Sequence, residues 1–292
     1  MSTCLQKSYD FIANIINNYN FEYATKPIII GINGPQGSGK TYLTSKLTTQ
    51  LQEFYDDLKI ISFSIDDFYL PYNDQLKLTK QAKLDDNKLL QGRGLPGTHD
   101  LKLLNEVFKK LIDNYKSNWE PMTIPFYDKS LNNGLGDRSD NESIILKEPV
   151  DVILFEGWFN GYRPLDNDSL RLKYLTNSPD SIIQENKMYH IEDINNRLRD
   201  YVQIWKYCEF NIFINTDSIS NVYKWRMEQE HALIKLKGTG MTDDQIIKFV
   251  DRYMPMYILY YDKLISQGLS SPKNNLILDI DVNRNLVSSN YR

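Results

Sequence analysis

Apolar residues recur along this chain with two different periods. At Leu5, Tyr9, Ile12, Ile16 and Tyr19 the spacing is three or four, which predicts an amphipathic helix ahead of the first strand. Pro27 to Ile32 and Val150 to Phe155 are instead short, continuous, largely β-branched runs, the pattern of strands buried on both faces of a parallel sheet. Around them, helices are predicted over Lys40 to Tyr55, Leu101 to Tyr115 and Ile191 to Tyr207, and strands over Lys59 to Ile65 and Asn211 to Ile214. Two further helices, Ser218 to Lys235 and Thr242 to Ser266, flank the turn Gly238-Thr239-Gly240, and Leu276 to Ile280 reads as a last strand. Strand and helix in alternation imply an α/β fold with a mostly parallel central sheet flanked by helices.

The polar stretches carry as much information as the apolar ones. From Asp66 to Asp100 the chain is polar and carries Pro71, Gly92, Gly94, Pro96 and Gly97, with only a short helix expected over Asn73 to Gln81, and a loop of that length is usually functional. We read positions 1–292 as one domain, with an N-terminal helix in 1–25, substrate-side loops in 66–100 and 121–147, a surface insertion in 165–190 and a lid in 218–240.

Charged residues make up 25% and hydrophobic residues 41%, the balance of an ordinary globular protein. Its longest apolar runs fall far short of the roughly 20 residues that cross a bilayer, so no membrane partner is expected. The net charge of −4 supplies no global positive field, which argues against nucleic acid as a partner. Cys4 and Cys208 are the only cysteines, too few for a disulfide framework or a zinc site. With no secretory signal in Met1 to Asp10, the expected location is cytoplasmic, or cytoplasmic and nuclear.

The most specific motif is Gly34, Pro35, Gln36, Gly37, Ser38, Gly39, Lys40 and Thr41, which fits G-x-x-x-x-G-K-[ST] between a predicted strand and a predicted helix. The glycines let backbone N–H groups converge on a β-phosphate, and the helix N-terminus adds partial positive charge there. Lys40 then bridges β- and γ-phosphates and the Thr41 hydroxyl faces Mg²⁺, so ATP and Mg²⁺ are the expected ligands and a P-loop NTPase fold the expected scaffold. Asp66 and Asp67 sit together at the end of the second strand, where ligands of open α/β sheets bind. Neighbouring side chains there diverge, so one acid is expected to serve as a general base, Asp66 by preference, while the other caps the next turn. Both could also do no more than begin that turn.

Glu156 ends the apolar strand that starts near Asp151 and is the expected metal-supporting acid; pairing with a core arginine is the alternative. Arg226 and Glu230 are four apart on a predicted helix, either a surface pair or a lid cation with its anchor, and His231 beside them reads as packing. The run from Gln91 to Asp100 places Arg93, Thr98 and His99 on a shaped loop available to substrate, with Asp100 either in that role or capping the next helix. Tyr69, Asp67 and Lys129, the last in the cluster Tyr127 to Ser130, complete the candidates for substrate contact.

Taken together, GPQGSGKT, SIDDFYL, GRGLPGTHD, PFYDKS, LFEGW, WRMEQEHAL and GMTDDQIIKFVDRYMPMY resemble the fungal and plant glycerate kinase family over nearly the whole chain. That family belongs to a wider group with phosphoribulokinase, uridine kinase and bacterial pantothenate kinase. The resemblance implies that Asp66, which opens the D-x-F-Y motif, is the general base and that Glu156 is the strand-end acid. It also implies a lid role for Arg226 and substrate contacts for Arg93, Thr98 and His99. The expected activity is therefore transfer of the γ-phosphoryl group of ATP to a hydroxyl of a small metabolite, with D-glycerate one acceptor to test. The competing expectation is a regulatory nucleotide binder without turnover. A GTPase would need N-K-x-D, which the sequence lacks.

Overall fold

The computed structural model describes residues 3–117, 119–178, 181–269 and 273–292. In chain order the elements that build it are α1 (Cys4–Asn18), β1 (Ile28–Asn33), α2 (Lys40–Phe54), β2 (Ile60–Ser64), α3 (Tyr72–Leu84), α4 (Leu101–Asp113), β3 (Met122–Asp128), β4 (Asp137–Leu146), β5 (Val152–Gly157), α5 (Asn167–Thr176), α6 (Met188–Trp205), β6 (Phe210–Thr216), α7 (Asn221–Lys237), α8 (Asp243–Asp251), α9 (Met254–Met256), α10 (Asp262–Gln267), β7 (Asn275–Ile280) and β8 (Leu286–Tyr291). Six strands form the main sheet in the order β2-β5-β1-β6-β7-β8, and β3 pairs with β4 in a separate hairpin. The first five run parallel, and β8 closes the edge antiparallel to β7. Every residue of β1 and β5 is buried, which is why both read as unbroken apolar runs.

Side-chain alternation along β5 sets the two faces of the sheet. The Phe155 ring meets Phe63 and Phe108, so its face is covered by α4. The next residue, Glu156, points to the opposite face and meets Thr41 of α2. One hydrophobic cluster runs from Phe11 and Ile12 on α1 through the sheet to Leu276 and Leu278 on β7. Asp151, expected only to start a strand, ties three segments together: it accepts from the Lys59 N–H at 2.9 Å and the Tyr115 hydroxyl at 2.7 Å just ahead of β5.

Four expectations change in the folded chain. The short helix of the first polar segment is the 13-residue α3, whose first N–H donates to Asp137 of the hairpin. The single helix expected over Thr242 to Ser266 is broken, because Pro255 has no N–H for the Asp251 carbonyl; α9 then runs through a π-helical turn, Tyr257–Tyr261, into α10. The 165–190 segment is no plain surface insertion: Asp166 caps α5, and Leu170 and Ile183 are fully buried, with positions 179 and 180 outside the described residues. Strand β8 was not expected, since none of its residues is buried and Ser288, Ser289 and Asn290 interrupt its apolar positions. Among the described residues no helix is long and apolar enough to cross a membrane.

Replacing Asp151 by Ala should cost about 2–3 kcal/mol, because two donors lose a charged acceptor. Urea unfolding of the variant measures it, with Asp151→Asn expected to recover part of the loss.

Candidate active site

The C-terminal ends of β1, β2 and β5 converge on one edge of the sheet, and the segments that leave them carry the candidate residues. After β1 the chain turns through Gly37 and Gly39 with φ of 81° and 90°, the left-handed region that favours glycine, and Gly39 caps α2. Gly37 is required twice over, since a Cβ there would lie 2.4 Å from the Cβ of Trp225 on α7. Distant residues hold the turn: the Gln36 N–H donates to the Tyr257 hydroxyl at 3.0 Å, and Arg284 Nε donates to the Gly37 carbonyl at 2.7 Å. Arg284 also lies over the Trp225 ring and bonds Glu228 at 2.8 Å, which fixes its guanidinium in three ways.

Thr41 at the start of α2 donates its hydroxyl to both oxygens of Glu156, at 3.0 and 3.1 Å, and Lys40 Nζ lies 3.7 Å from the same carboxylate. The core-arginine alternative for Glu156 therefore falls away in favour of a phosphate-loop neighbourhood. Two adjacent oxygen donors of this kind suit a hard cation such as Mg²⁺, which keeps several waters and takes few protein ligands. No group of three His, Cys, Asp or Glu gathers at a potential metal site among the described residues.

Asp66 and Asp67 diverge at the end of β2. Asp67 closes a capping box, accepting from the Ser64 N–H at 2.9 Å, and its other oxygen takes the Tyr127 N–H of β3 at 3.4 Å. Burial, with Asp66 alongside, raises the Asp67 pKa to about 6 despite these donors. Asp66 instead faces the cavity and meets Lys129 Nζ at 2.6 Å. Burial alone would raise its pKa, but Lys129, with Lys40 behind it, holds the carboxyl well below the usual range. The same contact raises the Lys129 ammonium, and burial beside Asp66 pushes the Tyr69 phenol up.

The loop from Gln91 to Asp100 divides into cavity wall and support. Arg93 lines the cavity, lies over the Tyr127 ring and donates to the Gly134 and Leu135 carbonyls at the tip of the hairpin. Thr98 does not reach the cavity: its buried hydroxyl donates to the Leu95 carbonyl and accepts from the Gly94 N–H, closing the loop on itself. His99 is also behind the wall, its ring 4.5 Å from that of Tyr69 and its Nδ1 2.8 Å from the Tyr201 hydroxyl. That hydroxyl accepts from the Gly97 N–H, so it is free to donate to Nδ1. Burial keeps His99 neutral, its pKa lowered to about 3. Asp100 caps α4 through the Leu103 N–H and pairs with Arg138, which settles its role as a cap.

Arg226 lines the cavity from α7, bonded to Gln229 at 2.9 Å and set 3.5 Å from Glu230, with its guanidinium over Phe249. Glu230 is itself buried and accepts from the Met241 N–H, so the pair is an anchored one and no mere surface bridge. His231 is exposed and paired with Asp243, contrary to the packing role expected for it. Two functional candidates escaped the sequence. Arg252 follows α8, lies over Phe249 and Tyr253, and donates to the Arg93 carbonyl at 2.7 Å. It stood inside GMTDDQIIKFVDRYMPMY, but the unbroken helix expected there gave it no direction. Arg284 lies in a polar turn with no periodicity or motif, and nothing in the sequence marked it.

Together these elements enclose a cavity of 620 Å³, an ordinary size for a small-ligand site. Five cations line it, Lys40, Arg93, Lys129, Arg226 and Arg252, against the single carboxylate of Asp66. Such an excess suits ligands that bring several negative charges.

Two predictions follow from the supports of this cavity. Removing the Arg284 guanidinium should loosen the Gly37 turn and weaken ATP binding about tenfold, the worth of one charge-assisted bond, as calorimetry on Arg284→Ala would register. For His99, an unfolded imidazole titrates near 6.5 while the native one stays neutral down to about 3. Protons thus favour the unfolded chain as pH falls through that window, and His99 removes about 2 kcal/mol of stability between pH 7 and 5. Asp67, raised to about 6, acts in the opposite sense there, since its carboxyl is protonated more readily in the native state. Comparing wild type with His99→Gln by urea unfolding at both pH values isolates the histidine, and the variant should lose less stability on acidification.

The comparisons with known proteins agree with this fold. Residues 6–68 match a family described as the KAP family P-loop domain. The chain is 41% identical to the Saccharomyces cerevisiae protein named "Probable ATP-dependent kinase TDA10", covering 99% of this chain and 97% of that one. It is 36% identical to the protein named "D-glycerate 3-kinase, chloroplastic" of Arabidopsis thaliana over 90% of this chain and 55% of the plant protein. Among solved structures, D-glycerate 3-kinase from Cryptococcus neoformans superimposes with a TM-score of 0.89 at 34% identity, with 100% of each chain covered. With the phosphate loop on β1, the acids on β2 and β5, and similarity over its full length, the chain belongs to the glycerate kinase family of P-loop small-molecule kinases.

Proposed function

We propose that this kinase transfers the γ-phosphoryl group of ATP to a hydroxyl of a small hydroxy acid, with D-glycerate the first acceptor to test. The observation that carries the reading is the 2.6 Å contact between Asp66 and Lys129, a base and a cation side by side in the cavity that the phosphate loop also lines. A hydroxy acid offers both complements, a hydroxyl proton for Asp66 and a carboxylate for Lys129, with Arg93 and Arg252 nearby as further cations. The names of the plant and Cryptococcus relatives favour glycerate among such acids.

In this reading the N–H groups of Gly34 to Thr41 cradle the β-phosphate and Lys40 spans β and γ. Thr41 and Glu156 would hold Mg²⁺, which when bound neutralises charge on the phosphates. Asp66 takes the acceptor's hydroxyl proton as that oxygen forms its bond to the γ-phosphorus. The bond from γ-phosphorus to the bridging oxygen breaks, and ADP leaves with the electron pair. Arg226 directs its charge at the equatorial oxygens in transit, and closure of α7 and α8 over the nucleotide excludes water. Tyr69 lines the acceptor side, packed at a tilt against His99 and met edge-on by Tyr127, which gives Asp66 a rigid wall. Convergence of Asp66, Arg226 and the phosphate loop on one cavity supports turnover over regulatory binding alone. The free thiols Cys4 and Cys208 suit a reducing compartment, and we assign the reaction to the cytoplasm, or to cytoplasm and nucleus.

Incubation of the purified protein with ATP, Mg²⁺ and a panel of hydroxylated acceptors tests the reading, D-glycerate being expected to turn over fastest. Asp66→Asn should lower kcat by about 10²-fold or more while ATP affinity stays within a few-fold, the signature of a lost general base. Equal loss of ATP binding, or activity on neutral acceptors with none on hydroxy acids, would reject it.

A further inference from the structure

We propose that Lys129 is a latch on Asp66 that an anionic acceptor releases: until the acceptor binds, the ammonium occupies the carboxylate, and the acceptor's own negative group draws the lysine away as its hydroxyl approaches. The inference deepens the proposed function and rests on its assignment of Asp66 as base.

The geometry divides the neighbourhood into what is fixed and what can move. The backbone on either side of Lys129 is pinned, since the Tyr127 N–H donates to Asp67, the Ser130 N–H to Asp128, and Arg93 to the Gly134 carbonyl. Arg93 and Arg252 are themselves committed, the first to the hairpin tip and the second to the Arg93 carbonyl. Lys129 has only Asp66 as an ion-pair partner among the described residues, at the end of a flexible four-carbon stem. Its side chain is 56% exposed and that of Asp66 is 23% exposed, so water and an entering ligand reach the ammonium while it is paired. A carboxylate entering the cavity can therefore outbid Asp66 for the ammonium without a conformational change of the chain.

The exchange has a chemical consequence. A carboxylate held by an ammonium is a poor proton acceptor, and its basicity returns when the cation leaves. Water and neutral alcohols bring no charge to draw Lys129 off. The latch therefore restrains the side reaction in which water gives its proton to Asp66, its oxygen bonds to the γ-phosphorus, and the bond to the bridging oxygen breaks to yield ADP and phosphate. It also makes the charge of the acceptor a condition of turnover.

The test compares wild type with Lys129→Met, which keeps the length of the stem, in the presence of MgATP. Without acceptor, the variant should hydrolyse ATP about fivefold faster, the factor set by an exposed ion pair at the top of its usual range. Its kcat/KM preference for D-glycerate over glycerol should fall about tenfold or more, as expected for a lost charge-assisted contact. Adding Asp66→Asn to Lys129→Met should return hydrolysis to background. Unchanged hydrolysis in Lys129→Met, or hydrolysis in the double variant equal to that in the single, overturns the latch, as does an equal loss toward both acceptors. If wild type phosphorylates no hydroxy acid, the substrate proposed above fails instead, and the acceptor-free comparison still decides whether Lys129 restrains Asp66.

Discussion

The phosphate loop depends on contacts from parts of the chain nearly 200 residues or more away. Its glycines permit the left-handed turn at Gly37 and Gly39, but permission alone leaves a floppy loop, since glycine gives up the most freedom on ordering. Order comes from Trp225 packed on Gly37, from the Tyr257 hydroxyl on the Gln36 N–H and from Arg284 on the Gly37 carbonyl. These belong to α7, to the π-helical turn and to the β7–β8 connection, so the last third of the chain must fold onto β1 before the loop has its shape. The broken helix after Asp251 and the polar edge strand β8 are thereby explained: both bring a side chain to the loop that an unbroken helix or a frayed terminus would not.

Around that loop the protein sets identical chemical groups to different tasks by environment. Asp66 and Asp67 are neighbours in sequence, yet a lysine holds one ionised while burial raises the other, which spends its oxygens on backbone N–H groups. Likewise His99, buried against Tyr69, is kept neutral and backs the cavity wall, whereas exposed His231 pairs with an aspartate. The cations show the same sorting. Arg93 and Arg252 are fixed by carbonyl groups and give the cavity its standing charge, while Lys129 is held by the carboxylate of Asp66, the partner that the proposed latch exchanges for a ligand. A guanidinium's planar fork suits the first use and an ammonium on a flexible stem the second.

The sequence by itself determined the parts whose physics is local. The apolar runs Pro27 to Ile32 and Val150 to Phe155 read as doubly buried strands, and GPQGSGKT between strand and helix as a phosphate loop. Asp66 and Glu156 were legible because strand ends in such a sheet point at the ligand edge. The tertiary structure decided everything that turns on which distant groups meet. Asp67 and Thr98 looked like substrate contacts until their oxygens proved committed to N–H donors and the loop backbone. Arg252 and Arg284 carried no signal of their own, and it is the packed chain that brings them to the Arg93 and Gly37 carbonyls. Periodicity and motif spacing describe a residue's relation to its chain neighbours, whereas these roles come from partners that only the packed sheet brings within hydrogen-bond distance.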